Sequence, residues 1–217
     1  MSSSPSLSDV CTQVRRDIVR MVHGASSGHP GGSLGCTDFL VKLYFEEMTI
    51  DPANWSLGQG LSVACGAAQA KKLNGEDRWV YSLHGDGELQ EGQIWEAALY
   101  AAHHKVDNLI SFVDWNGQQI DGSVEDVMSL GDLGAKWAAF GWTVLECNGH
   151  DLSDLDRAFQ EARAAGGQGK PVVVLMRTDM GRGVDFMEGT HKWHGVAPND
   201  DQLASALEQL TSPLADY

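Results

Sequence analysis

The sequence predicts an α/β fold with parallel strands. Two short runs of apolar, β-branched and aromatic residues, Trp79–Leu83 and Leu109–Val113, are typical of buried strands. Between them, Glu91–His103 has helical spacing. Its apolar stripe consists of Ile94, Ala97, Ala98 and Ala101. A strand, a helix and a second strand within about forty residues form a right-handed crossover, which makes the two strands parallel.

The remaining elements follow along the chain. Ser8 is a suitable N-cap for a first helix, whose apolar face is formed by Val10, Val14, Ile18, Met21 and Val22. Further helices are predicted at Thr37–Met48, in the small-residue stretch after Ser56, at Ala135–Phe140, after a cap at Asp151 or Ser153, and at Asp201–Leu210. Connecting turns are predicted at Val127–Leu130, and strands at Thr143–Glu146 and Val172–Met176.

Composition bounds the size and the partners of the protein. With 217 residues and 42% hydrophobic content, the chain can bury a full core, and residues 1–217 are expected to form one domain. The net charge of −15 argues against nucleic acid or an anionic membrane as a partner. A phosphorylated ligand would be repelled at long range, so histidine, arginine or a metal must create any phosphate pocket locally.

Cysteine usage indicates a reducing compartment. Cys11, Cys36, Cys65 and Cys147 are far apart and show no CxxC spacing, which favours reduced thiols in the cytoplasm. The polar stretch Ser2–Ser8 lacks the basic start and apolar middle of a signal peptide. No apolar run approaches the roughly 20 residues that a membrane span needs.

Two acidic turns follow the paired strands and should open at the same edge of the sheet. The first contains Gly85, Asp86, Gly87 and Glu91; the second contains Asp114, Asn116, Gln118 and Asp121. Asp86, Asn116 and the carbonyl of Gln118 supply the oxygen ligands that Mg²⁺ prefers. The glycines beside Asp86 would let the backbone approach a bulky anion, and a helix beginning near Gln90 would offer amide hydrogens to it.

Each turn alone also has a simple structural interpretation, because Gly, Asp and Asn are common in tight turns without any ligand. The placement of both turns beside one crossover favours a metal site. Asp86 is expected to be an exposed loop carboxylate whose removal leaves the fold intact.

The order of motifs GDG, EG, WEA, NL, DxN and DG resembles the thiamine diphosphate motif of the transketolase family. The matching residues are Gly85–Gly87, Glu91–Gly92, Trp95–Ala97, Asn108–Leu109, Asp114, Asn116 and Asp121–Gly122. Deoxyxylulose phosphate synthases are similar at GDG but lack the EGxxWEA run. The resemblance covers nearly the whole chain and corresponds to the first third of a full transketolase, an open, mostly parallel sheet with helices on both faces.

This resemblance implies a cofactor, a reaction and a partner. Thiamine diphosphate, held with Mg²⁺ (or Ca²⁺ or Mn²⁺), would transfer a two-carbon unit from a ketose phosphate to an aldose phosphate, a reaction of the pentose phosphate pathway. A second domain, which binds the aminopyrimidine ring and supplies an activating glutamate, would come from a carboxyl-terminal subunit. The working assembly would be a heterotetramer, a dimer of paired chains.

The resemblance also implies roles for single residues. His29, in SGHPGG, would face the substrate as a catalytic residue, and His194, in WHGVAP, would contact the diphosphate, with His191 a weaker candidate. The expected cofactor-binding residues are Ser56, Leu57, Gly85, Asp86, Gly87, Glu91, Asn116 and His194, and the expected metal ligands are Asp86, Asn116 and Gln118.

Two other histidine patterns point less clearly to a ligand. His191 and His194 would suit zinc, but no cysteine or third histidine lies near enough in sequence. His150 could be a ligand, although a histidine at such a position more often completes a strand-to-helix turn.

The junction between Trp55 and Ser56 departs from the family. Transketolases carry several dozen residues there, including histidines that line the cofactor and substrate channel. A family segment is therefore expected to be missing between residues 55 and 56, because it is either deleted or present in the molecule but disordered.

Three alternatives to the transketolase interpretation stay open. The chain could serve a related thiamine-dependent transferase that uses an unusual sugar, or it could be an inactive subunit that only binds a partner. A nucleotide-binding module is a third possibility, but the GDG turn lacks the GxGxxG pattern.

Overall fold

A four-stranded parallel sheet forms the centre of the protein. The computed structural model describes residues 5–47, 59–212 and 214. Its strands are β1 (Val80–Gly85), β2 (Leu109–Trp115), β3 (Gln118–Gln119), β4 (Gly122–Ser123), β5 (Thr143–Asn148) and β6 (Val172–Arg177). The order in the sheet is β1-β2-β6-β5, with every neighbouring pair parallel. Strands β3 and β4 form a separate antiparallel hairpin.

Helices connect the strands and cover the sheet. They are α1 (Leu7–Ala25), α2 (Pro30–Gly35), α3 (Thr37–Lys42), α4 (Gly60–Leu73), α5 (Gly92–His103), α6 (Val124–Met128), α7 (Leu133–Ala139), α8 (Leu152–Ala165) and α9 (Asp200–Gln209). A π-helical turn, Leu43–Glu47, continues α3, and 3₁₀ turns lie at Gly87–Gln90 and His191–Trp193. Within these described residues, no helix is both long and apolar enough to cross a membrane.

The sheet is buried on both faces. Successive residues of β2, such as Phe112 and Val113, point to opposite sides of the sheet and enter two separate core clusters. Helices α4, α5 and α7 cover the first side, and α3 and α8 cover the second. A third cluster joins α1, α2 and α9 through residues such as Val19, Leu34 and Ala206. The predicted α/β class, with helices on both faces of a parallel sheet, is confirmed.

Several predicted boundaries shift because a nearby side chain caps the helix. Ser6, not Ser8, is the N-cap of α1, since its hydroxyl accepts the Asp9 N–H in a capping box. The connecting turns predicted at Val127–Leu130 are wrong in part, because Ser123 caps α6 and draws Val127 and Met128 into that helix.

Two further boundaries differ from the prediction. The helix predicted at Thr37–Met48 changes to π-helical geometry after Lys42, and Met48 lies outside the described residues. Of the two candidate caps for α8, Asp151 is the one that binds the first-turn amides, those of Ser153 and Asp154.

A buried charged network ties α1, α3 and the β5–α8 turn together. The Arg15 guanidinium donates to both carboxylate oxygens of Asp38, at 3.1 and 2.7 Å. The Asp179 N–H donates to Nε2 of His150 at 2.7 Å, so the ring proton lies on Nδ1, which donates to Asp38 Oδ2 at 3.0 Å. Both ring nitrogens of His150 are thus used by the fold, which fits its structural interpretation.

Asp38→Asn is expected to destabilise the protein at pH 7 by about 3 kcal/mol, because Arg15 would keep a buried charge without its partner. Burial alone would raise the pKa of Asp38, but hydrogen bonds from His150 and Arg15 outweigh burial and lower it from 3.8 to about 2. A lowered pKa gives stability that is present above about pH 4 and is lost as the pH falls toward 2. Urea unfolding across this range should show the wild type approaching the variant.

The exposed Asp77 offers the matched control for this substitution. Asp77→Asn should leave the free energy of unfolding within about 0.5 kcal/mol of the wild type. A pH-independent difference between Asp38→Asn and the wild type would contradict the charged network as its cause.

Candidate functional site

The two acidic turns lie side by side at the carboxyl edge of the sheet. Strands β1 and β2 are neighbours, and their register pairs Gly85 with Asp114. The Asp86 N–H donates to the Asp114 carbonyl at 3.1 Å, so the backbones of the two turns are joined directly. The crossover predicted from the sequence therefore brings these two turns together.

Asp86 is the residue that links the turns through its side chain. One carboxylate oxygen accepts the Gly87 N–H at 2.9 Å, and the other accepts the Gly117 N–H at 2.6 Å. The residue is only 1% exposed. The expectation of an exposed loop carboxylate is wrong, because closure of the second turn over the first removes Asp86 from water.

Asp114 orients the amide of Asn116. The Asn116 Nδ2 donates to Asp114 Oδ2 at 2.9 Å, and the Thr178 hydroxyl donates to Asp114 Oδ1. The Asn116 Oδ1 accepts the Gln118 N–H at 2.9 Å and keeps a second lone pair. Three edge segments, after β1, β2 and β6, thus contribute to one cluster.

Gly87 is required by the close approach of the β3–β4 hairpin. A Cβ atom at Gly87 would lie 2.7 Å from the Cβ of Gln119 and 3.7 Å from the carbonyl oxygen of Gln118. The absence of a side chain therefore allows the Gln118 carbonyl to sit against the first turn. Asp86, Asn116 and Gln118, the three predicted metal ligands, occupy one small region.

The electrostatics of this region favour a cation. Burial is the largest cause that raises the pKa of Asp86, and the neighbouring Asp114 carboxylate adds to it against the Gly117 hydrogen bond, for a value of about 7. Burial also raises the pKa of Asp114. Two carboxyl groups shielded from water are costly when ionised unless a positive charge lies beside them.

The donor set matches a hard divalent cation. It offers one carboxylate, one amide oxygen and one main-chain carbonyl, which leaves the remaining positions to phosphate oxygens and water, as Mg²⁺ prefers. Across residues 5–47, 59–212 and 214, no group of three His, Cys, Asp or Glu side chains is arranged to hold a metal. A zinc site at His191 and His194 therefore finds no support, whereas the mixed oxygen set fits Mg²⁺.

Amide hydrogens of the two turns are used inside the protein. The N–H groups of Gly85, Asp86, Gly87, Gly117 and Gln118 all donate to acceptors within the turns. The helix expected near Gln90 begins at Gly92, after a 3₁₀ turn. The turn amides are therefore occupied, whereas the first turn of α5 receives no side-chain cap, which fits the predicted helix terminus with amide hydrogens to offer.

Two predicted histidines meet in a second cluster. The rings of His29 and His194 are T-shaped, with centroids 5.6 Å apart. His29 is exposed, while Nδ1 of His194 is buried without a hydrogen-bond partner in the described structure. Burial, and then the proximity of His29, lower the pKa of His194. A buried acceptor or donor left without a partner is costly and is typical of a nitrogen that meets a ligand.

The loop around His194 borders the cation cluster, by which we mean Asp86, Asp114, Asn116 and the Gln118 carbonyl. Its 3₁₀ turn, His191–Trp193, lies next to β4, which pairs with the strand that carries Gln118. On the other side of this loop lies His29, whose ring would be 3.6 Å from a Cβ atom at Gly195. The cation cluster and the histidine pair are therefore connected through the β3–β4 hairpin.

Other predicted residues lie apart from these clusters. Glu91 is exposed at the N-cap of α5, and Asp121 is exposed at the tip of the β3–β4 hairpin. His191 belongs to the 3₁₀ turn but takes no part in the histidine pair. Ser56 and Leu57 lie outside the described residues.

Sequence reasoning missed three polar residues at the site. Thr178 follows β6, so its contact with Asp114 could have been inferred from the neighbouring carboxyl ends of the strands. His84 and Glu88 flank the GDG turn, and the signal was a histidine inside a mostly apolar strand.

Comparison with known proteins identifies the class of the fold and site. Residues 55–213 match the family described as "Transketolase, thiamine diphosphate binding domain". The chain belongs to the transketolase family, as its motifs indicated.

Relatives carry more specific names. The chain is 32% identical to a protein of Phocaeicola vulgatus that is named as a subunit of apulose-4-phosphate transketolase, over 91% of each chain. It is 40% identical to the 6-deoxy-6-sulfo-D-fructose transketolase subunit SqwG of a Clostridium species, over 74% of this chain and 58% of the relative. Transketolase from Leishmania mexicana has the same fold, with a TM-score of 0.88 at 24% identity over 99% of this chain and 43% of that one.

Proposed function

We propose that this chain is the amino-terminal subunit of a thiamine diphosphate-dependent transketolase. It would transfer a two-carbon ketol unit from a ketose phosphate to an aldose phosphate when paired with a carboxyl-terminal subunit. The observation that carries the proposal is the convergence of Asp86, Asn116 and the Gln118 carbonyl at the joined turns. Family membership supports thiamine diphosphate as the ligand of this site.

The three oxygen donors would hold Mg²⁺, or Ca²⁺ or Mn²⁺ in its place. The net charge of −15 repels a diphosphate at long range, so the cation has to supply the attraction at the site. Because the five turn amides described above already donate within the protein, the diphosphate would be bound through the metal, through histidine and through the uncapped first turn of α5. The Nδ1 atom of His194 is suited to that contact, since it has no partner in the described structure.

Bound thiamine diphosphate supplies the carbon nucleophile that accepts the ketol unit. His29 would act on the substrate from its exposed position beside His194. An imidazole there can donate a hydrogen bond to a sugar hydroxyl or move a proton near pH 7. Asp86 and Asn116 would only orient and retain the cofactor.

A transferase for an unusual sugar is the second candidate. Two relatives are named for apulose 4-phosphate and for 6-deoxy-6-sulfo-D-fructose, and neither is a common pentose phosphate. The same anchoring residues would serve such a donor. This candidate differs from the first only in the sugar that reaches His29.

The surface of α4 and α5 supports a partner subunit. These helices pack together and expose Val63, Leu99 and Tyr100, which are 57%, 60% and 45% exposed. Ile120 and Met128, close to the acidic turns, are also more than half exposed. Exposed apolar groups in one region are typical of a protein interface. The proposed assembly is a heterotetramer of two paired chains, and the four free cysteines support a cytoplasmic location.

We also propose that the chain lacks a family segment between residues 55 and 56. The alignment with the Phocaeicola relative extends over 257 residues, more than the 217 of this chain, so it includes positions without a counterpart here. Arg163 bonds both Glu47 and Tyr81, while a Cβ at Gly60 would lie 3.7 Å from the His84 ring. Glu47 therefore lies near the start of β1, and Gly60 lies near its end.

An inserted segment would therefore run along the edge of β1 that no described strand occupies. A cavity of about 540 Å³ lies beside this strand. Its lining is mainly apolar, with side chains such as Ile18, Leu40 and Leu83, and it includes two carboxylates, Glu88 and Asp114.

Intact mass spectrometry tests the deletion. A protein of 217 residues has a mass of 23.4 kDa, and we expect this value. A mass several thousand daltons larger would contradict the deletion and restore a complete substrate channel.

Titration calorimetry with thiamine diphosphate and Mg²⁺ tests the proposed cofactor. We expect binding that disappears when EDTA removes the metal. Binding of a nucleotide in preference to thiamine diphosphate would favour the nucleotide-binding alternative. Donor screening of the paired subunits, with ketose phosphates and the two unusual sugars, then separates the transferase candidates from an inactive subunit.

A further inference from the structure

His84 is a buried polar residue near the end of a mostly apolar strand. Its side chain is 0% exposed, and it is the penultimate residue of β1, directly before the Gly85–Gly87 turn. An apolar side chain is the usual occupant of such a position in a parallel sheet. Burying an imidazole costs free energy unless both nitrogens are hydrogen-bonded. The bonds that His84 makes therefore indicate what it contributes.

The imidazole belongs to a continuous hydrogen-bonded chain. The Oγ atoms of Ser111 and Ser82 are 2.8 Å apart, and the Ser82 Oγ lies 3.0 Å from Nε2 of His84. The Nδ1 atom lies 3.4 Å from Oε1 of Glu88. With the ring proton on Nδ1, each group donates to the next, and the chain ends on the carboxylate.

Glu88 connects this series of hydrogen bonds to the Gly85–Gly87 turn. Its second oxygen, Oε2, accepts the Gly85 N–H at 3.2 Å. Gly85 is the last residue of β1 and pairs with Asp114, but a Cβ atom there would meet nothing within 4 Å, so the space beside it is open. The hydrogen bond from the Gly85 N–H to Glu88 adds to this strand pairing on the side of the turn, and His84 in turn restrains Glu88.

The hydrogen bonds to His84 and Gly85 also keep the negative charge of Glu88 in one place. Glu88 and Asp114 line the same cavity beside Gly85, so a released Glu88 could approach the carboxylates of the cation cluster. Like charges there would compete for the metal and distort the position of Asp86. The hydrogen bonds to His84 and Gly85 fix the position of this carboxylate.

We propose that His84 is a positioning residue that acts through Glu88 to hold the Gly85–Gly87 turn in the conformation that presents Asp86 to the cation. This inference rests on the proposed function, because it assigns His84 to the same metal and cofactor site. Neither His84 nor Glu88 is proposed to touch the metal or the substrate.

Two measurements test the proposal on the intact chain. Mg²⁺ is titrated at a fixed thiamine diphosphate concentration, and amide hydrogen exchange of residues 85–88 is followed without any ligand. His84→Leu should weaken Mg²⁺ binding about tenfold, as is usual for residues that support a metal ligand, and should speed exchange at Gly85. His84→Gln, which keeps a donor for Glu88, should recover most of both effects.

Coupling between the two residues separates positioning from a merely structural role. If His84 acts through Glu88, then His84→Leu combined with Glu88→Ala should bind Mg²⁺ no more weakly than Glu88→Ala alone. Tyr81→Phe is the matched control, because it removes a hydrogen bond on the opposite face of β1 and should change neither measurement. Additive effects of the two substitutions would overturn the proposal.

The two measurements keep this inference distinct from the proposed function. A wild-type protein that fails to bind Mg²⁺ and thiamine diphosphate would contradict the proposed function and the metal role of His84 together. Unchanged exchange at Gly85 in His84→Leu would overturn the positioning role even if the cofactor binds. If His84→Leu does not fold, the exchange and binding of Glu88→Ala decide the question, since loss of the Gly85 restraint must have the same effect.

Discussion

Asp86→Asn is expected to abolish Mg²⁺-dependent binding of thiamine diphosphate while the protein stays folded. The amide keeps the size of the side chain and can accept one of the two N–H groups of Gly87 and Gly117, but it removes the only charged ligand of the proposed set. Loss of a residue that merely supports a ligand typically weakens metal binding by 10–100-fold, so loss of this ligand should exceed about 100-fold. Calorimetric titration of the metal and the cofactor measures the change.

The pKa of Asp86 explains why the fold should survive. Its pKa is raised from 3.8 to about 7, mainly by burial, so the folded state favours the neutral acid. Ionisation of such a group lowers stability progressively as the pH rises from about 4 to about 7. The asparagine variant lacks this cost but loses one of the two N–H hydrogen bonds, so its thermal unfolding without metal should stay close to that of the wild type at pH 8.

Asp121 provides the control, because it is an exposed carboxylate in the same loop region but outside the cation cluster. Asp121→Asn removes the same charge and should retain cofactor binding. Unchanged binding in Asp86→Asn would remove the metal assignment. Equal losses in both variants would point to the net charge of the loop rather than to a ligand.

The purified chain is expected to show no ketol transfer by itself, and its carboxyl-terminal partner should restore activity. The proposed site would anchor a metal and a diphosphate, and the family resemblance assigns the activating glutamate to another domain. The Phocaeicola vulgatus relative, matched over 91% of its length, is itself named as a transketolase subunit. A coupled assay with a ketose phosphate donor and an aldose phosphate acceptor, run with the two subunits separately and together, measures the gain.

Substitutions on the α4–α5 surface test whether restoration depends on assembly. Leu99→Glu places a charge in the exposed apolar region and should block both restoration and co-elution of the subunits. Met21→Glu changes a similarly exposed apolar residue on α1 and should affect neither. Robust transfer by the isolated chain, free of any co-purifying protein, would contradict the two-subunit proposal.

The sequence predicted the architecture of the site better than its details. Periodicity located Trp79–Leu83, Glu91–His103 and Leu109–Val113, and crossover geometry then required Asp86 and Asn116 to meet. Burial of Asp86 could not be predicted, because it depends on a bond to Gly117, which lies 31 residues further along the chain.

Local sequence patterns also do not determine which hydrogen-bond partner a polar side chain takes. Ser6 and Ser8 are both acceptable caps, and only the bond from Asp9 distinguishes them. The role of His84 depends on its alignment with Ser82, Ser111 and Glu88 across two strands and a turn. Such long-range contacts have no signature in a single sequence.

The inward-directed amide hydrogens of the two turns have a consequence for cofactor retention. A phosphate site built from amide hydrogens needs no dissolved metal ion to bind its ligand. Here those hydrogens bond to oxygen atoms of the turns themselves. With the proposed metal at this site, occupancy would rise with the free concentrations of two solutes together, the divalent ion and the cofactor. Fluctuations of Mg²⁺ inside a cell would thereby act directly on how much of this protein is loaded.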